Sequence, residues 1–185
     1  EDPIDDPLLV AKQARAMLAS LTARDAGGFA AAFESLLSGV PFNAHLPYEA
    51  YYQTIFLLAL ALAGQGVTAE GEAGDEKFDA HLRTATGDDF IVEIKYGRMR
   101  DLGPFPEDAD GKNERIKEGL ESLAAKAMAQ IEAKKYSKKF QGAGSRIWKT
   151  ALVISERTDV MIFFEEARNW ILVESDDGQY EVKET

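Results

Sequence analysis

Asp79, Glu93 and Lys95 are the residues of this chain whose types and spacing could do chemistry. Glu93 and Lys95 are two apart in a segment that alternates with period two. On a strand their side chains project from one face, about 6.5 Å apart. Asp79 lies in the preceding segment, which alternates in the same way, and pairing the two segments brings all three onto one face of one sheet. Carboxylate oxygens are hard ligands suited to Mg2+ or Mn2+, and the Ile94 carbonyl is a further oxygen donor at hand. A cation held there makes a bound water more acidic and offsets charge on a phosphoryl oxygen. An ammonium alongside can orient the attacking hydroxide or neutralise the developing phosphorane. Spacing alone leaves a second reading open. Alternate charges are ordinary on the wet face of an antiparallel sheet, where Glu93 and Lys95 would be an ion pair and nothing more.

The elements that must position these residues follow from periodicity. Over 77–83, Phe78, Ala80 and Leu82 point one way, and Lys77, Asp79, His81 and Arg83 the other. Thr86-Gly87-Asp88 supplies turn chemistry. In the next strand Phe90, Val92, Ile94 and Tyr96 form the apolar face, and Asp89, Ile91, Glu93 and Lys95 face away. Val67 to Glu72 reads as an earlier strand at an edge.

Upstream, Leu8–Leu21 and Phe29–Leu37 form a helical pair broken at Asp25-Ala-Gly-Gly28. A third helix, Pro47–Ala63, is apolar almost all round after Gln53 and is expected to be buried. Glu49, Tyr52, Phe56 and Leu60 share one of its faces. Glu49 sits in its first turn, where a carboxylate complements the helix dipole.

Downstream, 97–111 carries Pro104 and Pro106 and reads as a flexible loop able to close over a site or meet a partner. Asn113, a candidate N-cap, opens a long amphipathic helix to Phe140. Its stripe is Ile116, Leu120, Leu123, Ala127 and Ile131, with Gln130 at the border between Lys126 and Lys134. Thr150–Ser155 is a continuous apolar run, as in a central strand covered on both faces. Val160–Phe164 and Trp170–Glu174 follow as strands, then a turn at Asp176-Asp177-Gly178 and a frayed end. A long helix between Ile94 and Val153 permits a parallel crossover. The class is α/β with a mixed sheet.

The bulk properties narrow the function classes. At 185 residues the chain suggests one domain, 9–174, between acidic tails at 1–8 and 175–185. The absence of cysteine rules out disulfides and thiolate metal sites and fits a reducing, cytoplasmic setting. The chain opens at Glu1 rather than Met, as a fragment or a processed product would. Its longest apolar run, Ile55–Ala63, is nine residues, too short to span a membrane.

The net charge of −11 argues against indiscriminate nucleic-acid binding, but residues 112–149 carry +6 and allow a local basic surface. The run Lys134, Lys135, Lys138 and Lys139 reads as a solvated helix end able to track phosphates. His45 and His81 lack the spacing of a zinc site. Tyr48, Tyr51, Tyr52, Trp148 and Trp170 read as core or interface rather than a base-stacking platform. Gly142-Ala-Gly144-Ser145-Arg146 lacks the lysine of a P-loop.

The order helix, three strands, helix, strand, with Asp79 on the second strand and Glu93-Ile94-Lys95 on the third, resembles the PD-(D/E)xK nuclease superfamily and its restriction-endonuclease-like αβββαβ core. It looks closest to the branch found C-terminal to ATPase-like domains in uncharacterised bacterial proteins. That branch has helices similar to Tyr48-Glu49-Ala50-Tyr51-Tyr52 and to Ala129-Gln130-Ile131-Glu132-Ala133-Lys134-Lys135-Tyr136, and the likeness covers about 29–164. Lys77-Phe78 stands where the family usually has a Gly-rich approach to the acidic residue.

The resemblance implies metal-dependent hydrolysis of nucleic acid, DNA favoured, or an inactive interaction module on the same fold. It implies Asp79 and Glu93 as ligands of Mg2+ or Mn2+, Glu49 as a further acid near the metal, and Lys95 as the catalytic lysine. Gln130 would reach toward the site, supported by Tyr136, with Lys126 and Lys134 toward substrate. An ATPase-like domain upstream in the parent protein and an oligomer are compatible with it.

Overall fold

The computed structural model describes residues 7–69, 79–134, 146–167, 170–174 and 180–184. The alternating segment around Glu93 becomes the middle strand of a five-stranded sheet. In chain order the strands are β1 (Thr68–Ala69), β2 (Ala80–Arg83), β3 (Asp89–Gly97), β4 (Ile147–Ser155) and β5 (Val160–Glu166), and they lie side by side in that order. β2 runs antiparallel to β3, with Ala80 opposite Val92. β4 runs parallel to β3, with Glu93 opposite Ala151 and Lys95 opposite Val153, and β5 is antiparallel to β4. The sheet is therefore mixed, with one parallel pair. The turn between β2 and β3 is closed by the Thr84 N–H donating to the Asp88 carbonyl at 2.9 Å. Gly87 sits at its tip with φ +87°, a conformation that glycine alone takes without strain.

Helices cover both faces. On one face pack α1 (Pro7–Ala23), α2 (Ala26–Ser38) and α3 (Glu49–Leu62). Phe29, Phe33, Tyr52, Phe56 and Leu60 meet Phe90, Val92, Ile94, Leu152 and Ile154 there. Each such fully buried large side chain contributes about 1.5–3 kcal/mol of transfer free energy. On the other face pack α4 (Met99–Leu102) and α5 (Ala109–Lys134), where Ile116, Leu120, Ala124 and Ala127 close on Ala151 and Val153. This is the α/β class and crossover expected from the pattern: α5 carries the chain from β3 to the parallel β4.

Several boundaries differ from the sequence reading. The break between the first two helices falls at Arg24, which has φ +59°, and not across Asp25–Gly28. Asp25 caps α2 by accepting the Gly28 N–H at 3.0 Å, so both glycines lie inside the helix. α3 is not buried all round: Leu58 and Leu62 are more than half exposed, because the sheet covers only the Tyr52–Phe56–Leu60 side. α5 starts at Ala109 rather than Asn113, since Asp108 accepts the Gly111 N–H at 2.6 Å and does the capping. The segment after β3 forms the short helix α4 and is pinned by Leu102, 4% exposed and packed over Gly97 and Gly119. The end expected to fray pairs instead: β6 (Trp170–Glu174) and β7 (Tyr180–Glu184) form a two-stranded antiparallel sheet. Residues 70–72, Lys77, Phe78, 135–140, the P-loop-like stretch 142–145 and the turn at 176–178 lie outside the described residues, as do both ends of the chain.

Candidate active site

β3 must carry Glu93 and Lys95 on the face opposite its core side chains, because Phe90, Val92 and Ile94 are fully buried against α1–α3. Glu93 is 2% exposed, and its Oε1 accepts the Lys95 ammonium at 2.9 Å. Asp79 immediately precedes β2. Continuing the β2–β3 register by one residue sets it opposite Glu93. β2 begins at the next residue, and Asp79 Oδ2 accepts the Ile94 N–H of β3 at 2.6 Å. The carboxylate is thus aimed by a backbone N–H of the neighbouring strand.

The third wall is the start of α3. Glu49 Oε1 receives Lys95 Nζ at 3.4 Å. One turn on, the Tyr52 ring stacks on Tyr96 of β3 with centroids 5.0 Å apart and planes at 18°. Gln53 Nε2 donates to the Asp79 carbonyl at 2.9 Å. One helix start therefore fixes a carboxylate, the strand and the approach to Asp79. Gln53 is the residue that sequence reasoning missed. Its i+4 spacing from Glu49 put it on the same side of the helix and was the available signal. Arg98 Nη2 reaches the Pro47 carbonyl at 3.5 Å and ties the segment before α3 to the end of β3.

The charges do not balance. Asp79, Glu93 and Glu49 surround one ammonium. Burial, then the Glu93 carboxylate, push the Asp79 carboxyl up to about 6; the Ile94 N–H and Lys95 pull it down, and Glu49 adds to the rise. Burial alone would lower the Lys95 pKa, but its hydrogen bond to Glu93 and the charges of Glu93, Glu49 and Asp79 raise it overall. Lys95 is therefore an ammonium at neutral pH. Among the described residues Glu93 Oε2 is buried with no hydrogen-bond partner. A buried carboxylate oxygen without a donor is costly, and excess negative charge with one free hard oxygen fits a divalent cation. Among the described residues no three His, Cys, Asp or Glu side chains converge into a ready-made cage. Two carboxylates with waters and substrate oxygens would complete the set, which is how Mg2+ is commonly bound.

The other expected site residues fall as follows. The Ile94 side chain is in the core and its N–H serves Asp79. Gln130 is half-buried on α5 between buried Ala127 and Ile131, as a border residue should be, and Lys126 is exposed on the same helix. The Lys134 side chain, Tyr136 and the rest of the basic run lie outside the described residues. Tyr52 is core as expected, while Tyr48 is 58% exposed. His45 meets the Val40 carbonyl and His81 meets Asp89.

An αβββαβ core with an acid just before the second strand, E-x-K on the third and an acid on the first core helix defines the class of restriction-endonuclease-like proteins. The model of the PD-(D/E)XK nuclease superfamily matches residues 47–164, well over half of the chain, and the protein belongs to that superfamily. No curated protein and no solved structure matches the chain significantly. Among the described residues no helix is long and apolar enough to cross a membrane.

Proposed function

We propose that this chain is a metal-dependent nuclease that hydrolyses phosphodiesters in nucleic acid, DNA favoured. The observation that carries the reading is the buried, unpartnered Glu93 Oε2 beside Asp79 and the Lys95 ammonium. Asp79 and Glu93 would hold Mg2+ or Mn2+, with Glu49 and the Ile94 carbonyl as supporting oxygens. When bound, the ion supplies Lewis-acid stabilisation of phosphoryl charge and a more acidic water. Lys95 stays protonated between Glu93 and Glu49 and donates to the non-bridging oxygen on which charge builds, or to the attacking water. Gln53 holds the Asp79 backbone, and Asp79 in turn holds the Ile94 N–H, so the acids are positioned before substrate arrives. Gln130 would orient the substrate from α5, with Lys126, Lys134 and Tyr136 beyond it. An ATPase-like domain upstream in the parent protein is a partner compatible with this reading.

Cleavage of single- and double-stranded DNA and RNA with Mg2+ or Mn2+ tests it. Wild type should cut and Lys95→Ala should not; equal activity in the two would overturn the assignment. The net charge of −11 favours a second reading, a binding module on the same fold that has lost catalysis. That reading requires DNA or protein binding with no metal-dependent cutting by wild type.

A further inference from the structure

At the carboxyl ends of the parallel strands β3 and β4 lies an open groove of about 610 Å3. In open α/β sheets this end is where ligands commonly sit. Three cations line it, each from a different element: Arg100 of α4, Lys112 in the first turn of α5, and Arg157 in the turn between β4 and β5. Met99, Pro104 and Phe105 supply most of the rest, and among the described residues no acidic side chain lines it. In a chain with 32 acids and 21 Lys and Arg, a surface hollow lined by three cations and no acid runs against the composition.

The walls are tied together. The Met99 N–H donates to Glu156 Oε2 at 2.9 Å, joining α4 to the β4–β5 turn. Arg157 Nη1 donates to Asn113 Oδ1 at 3.4 Å, joining that turn to α5. Lys112 Nζ stands 5.9 Å over the Phe105 ring. The acids nearby do not cancel the cations. Arg100 meets Asp101 at 3.6 Å, with both side chains mostly exposed, and Arg157 meets Asp159 at 3.9 Å. Exposed pairs of this kind are weak and are readily exchanged for another anion.

We infer that this groove binds the phosphates of a nucleic-acid strand alongside the candidate active site, through Arg100, Lys112 and Arg157. The inference rests on nucleic acid being the substrate, and it gives the active site a second contact on the same strand. Lys95 and Met99 are four residues apart, so the two places are separated along the chain by at most about 14 Å. That is about four 3.4 Å steps of a duplex strand, close enough for one bound segment to touch both. In an acidic protein the groove concentrates positive potential beside the candidate active site.

The test uses the full chain in EDTA, so that binding is read without cleavage. A labelled 20-bp duplex and a 20-nucleotide single strand are titrated by fluorescence anisotropy across a salt series. Arg100→Gln/Arg157→Gln is compared with Lys12→Gln/Arg15→Gln, an equal charge change on exposed positions of α1. The groove variant should flatten the log–log salt slope by about 1.8 for duplex or about 1.4 for single strand, and adding Lys112→Gln should flatten it further. The α1 variant should bind like wild type.

Equal loss in both double variants would overturn the groove while leaving the nuclease reading standing. Groove-dependent binding with no metal-dependent cutting would uphold the groove and sink the nuclease reading. If wild type binds neither oligonucleotide, the strand proposal fails. Thermal stabilisation by ATP or inorganic tripolyphosphate, lost in the groove variant, would then assign the groove to free phosphates instead.

Discussion

β3 buries two carboxylates on one face, four residues apart, and they are treated in opposite ways. Asp89 is fully buried and satisfied: Oδ1 receives His81 Nε2 at 2.8 Å and Arg83 Nε at 3.0 Å, and Oδ2 receives Arg83 Nη2 at 2.7 Å. Glu93 is as deeply buried but shares one ammonium with Glu49, faces Asp79, and has an oxygen with no donor. The first cluster has its donors and the Arg83 guanidinium built in and closes the sheet. The second keeps surplus negative charge, which a fold tolerates only where something else neutralises it. The same residue class on the same strand is thus cement at one end and a candidate ligand at the other. The difference lies in the count of opposing charges.

Substitutions can break that contrast. The largest effect is expected for Lys95→Ala and Glu93→Gln, which should lower cleavage about 100- to 10,000-fold with the fold intact by circular dichroism. In the metal-free protein Glu93→Gln should leave the melting temperature unchanged or raise it, because it relieves repulsion with Asp79. Asp89→Ala should do the reverse. It removes the partner of Arg83 and His81 and should cost about 3 kcal/mol in urea denaturation, while cleavage per folded molecule stays near wild type. Equal destabilisation by Glu93→Gln and Asp89→Ala would erase the contrast.

Acidity gives a smaller and more specific signature. The folded-state pKa of Asp79, about 6, lies above its unfolded value. Between about pH 4 and 6 the unfolded chain therefore holds fewer protons at this position than the folded one, so the Asp79 contribution to stability falls as pH rises through that window. Asp79→Asn should remove this part of the pH dependence of the metal-free protein. Gln53→Ala should have the smallest effect, about 1 kcal/mol from one lost hydrogen bond. It should appear as weaker Mn2+ affinity in calorimetry, and Gln53→Glu should not restore it, because a carboxylate has no N–H to donate to the Asp79 carbonyl.

Period-two alternation set Glu93 and Lys95 on one face, and continuing the β2–β3 pairing by one residue sets Asp79 opposite Glu93. The crossover followed from one long amphipathic segment between two strands. Glu49 was harder. Its first-turn position fits a dipole interaction equally well, and only the close approach of α3 to the uncovered end of β3 brings it to Lys95. Gln53 and the cationic groove were not legible as sites, since each draws on elements far apart in sequence; the Asp89 cluster lies within one hairpin, but alternation alone put its residues on an outward face without showing that they bond one another. Asn113 was misread as a cap because Asp108 competes for the same role and acts first. The exposed Leu58 and Leu62 show that an apolar helix need not be covered all round.

Isothermal titration of Mn2+ into the metal-free protein at neutral pH tests the central claim most directly. Saturable binding in wild type that disappears in Asp79→Asn and in Glu93→Gln, but persists in Asp89→Asn, is the predicted result. No binding at millimolar Mn2+, or binding indifferent to both Asp79 and Glu93, would contradict it.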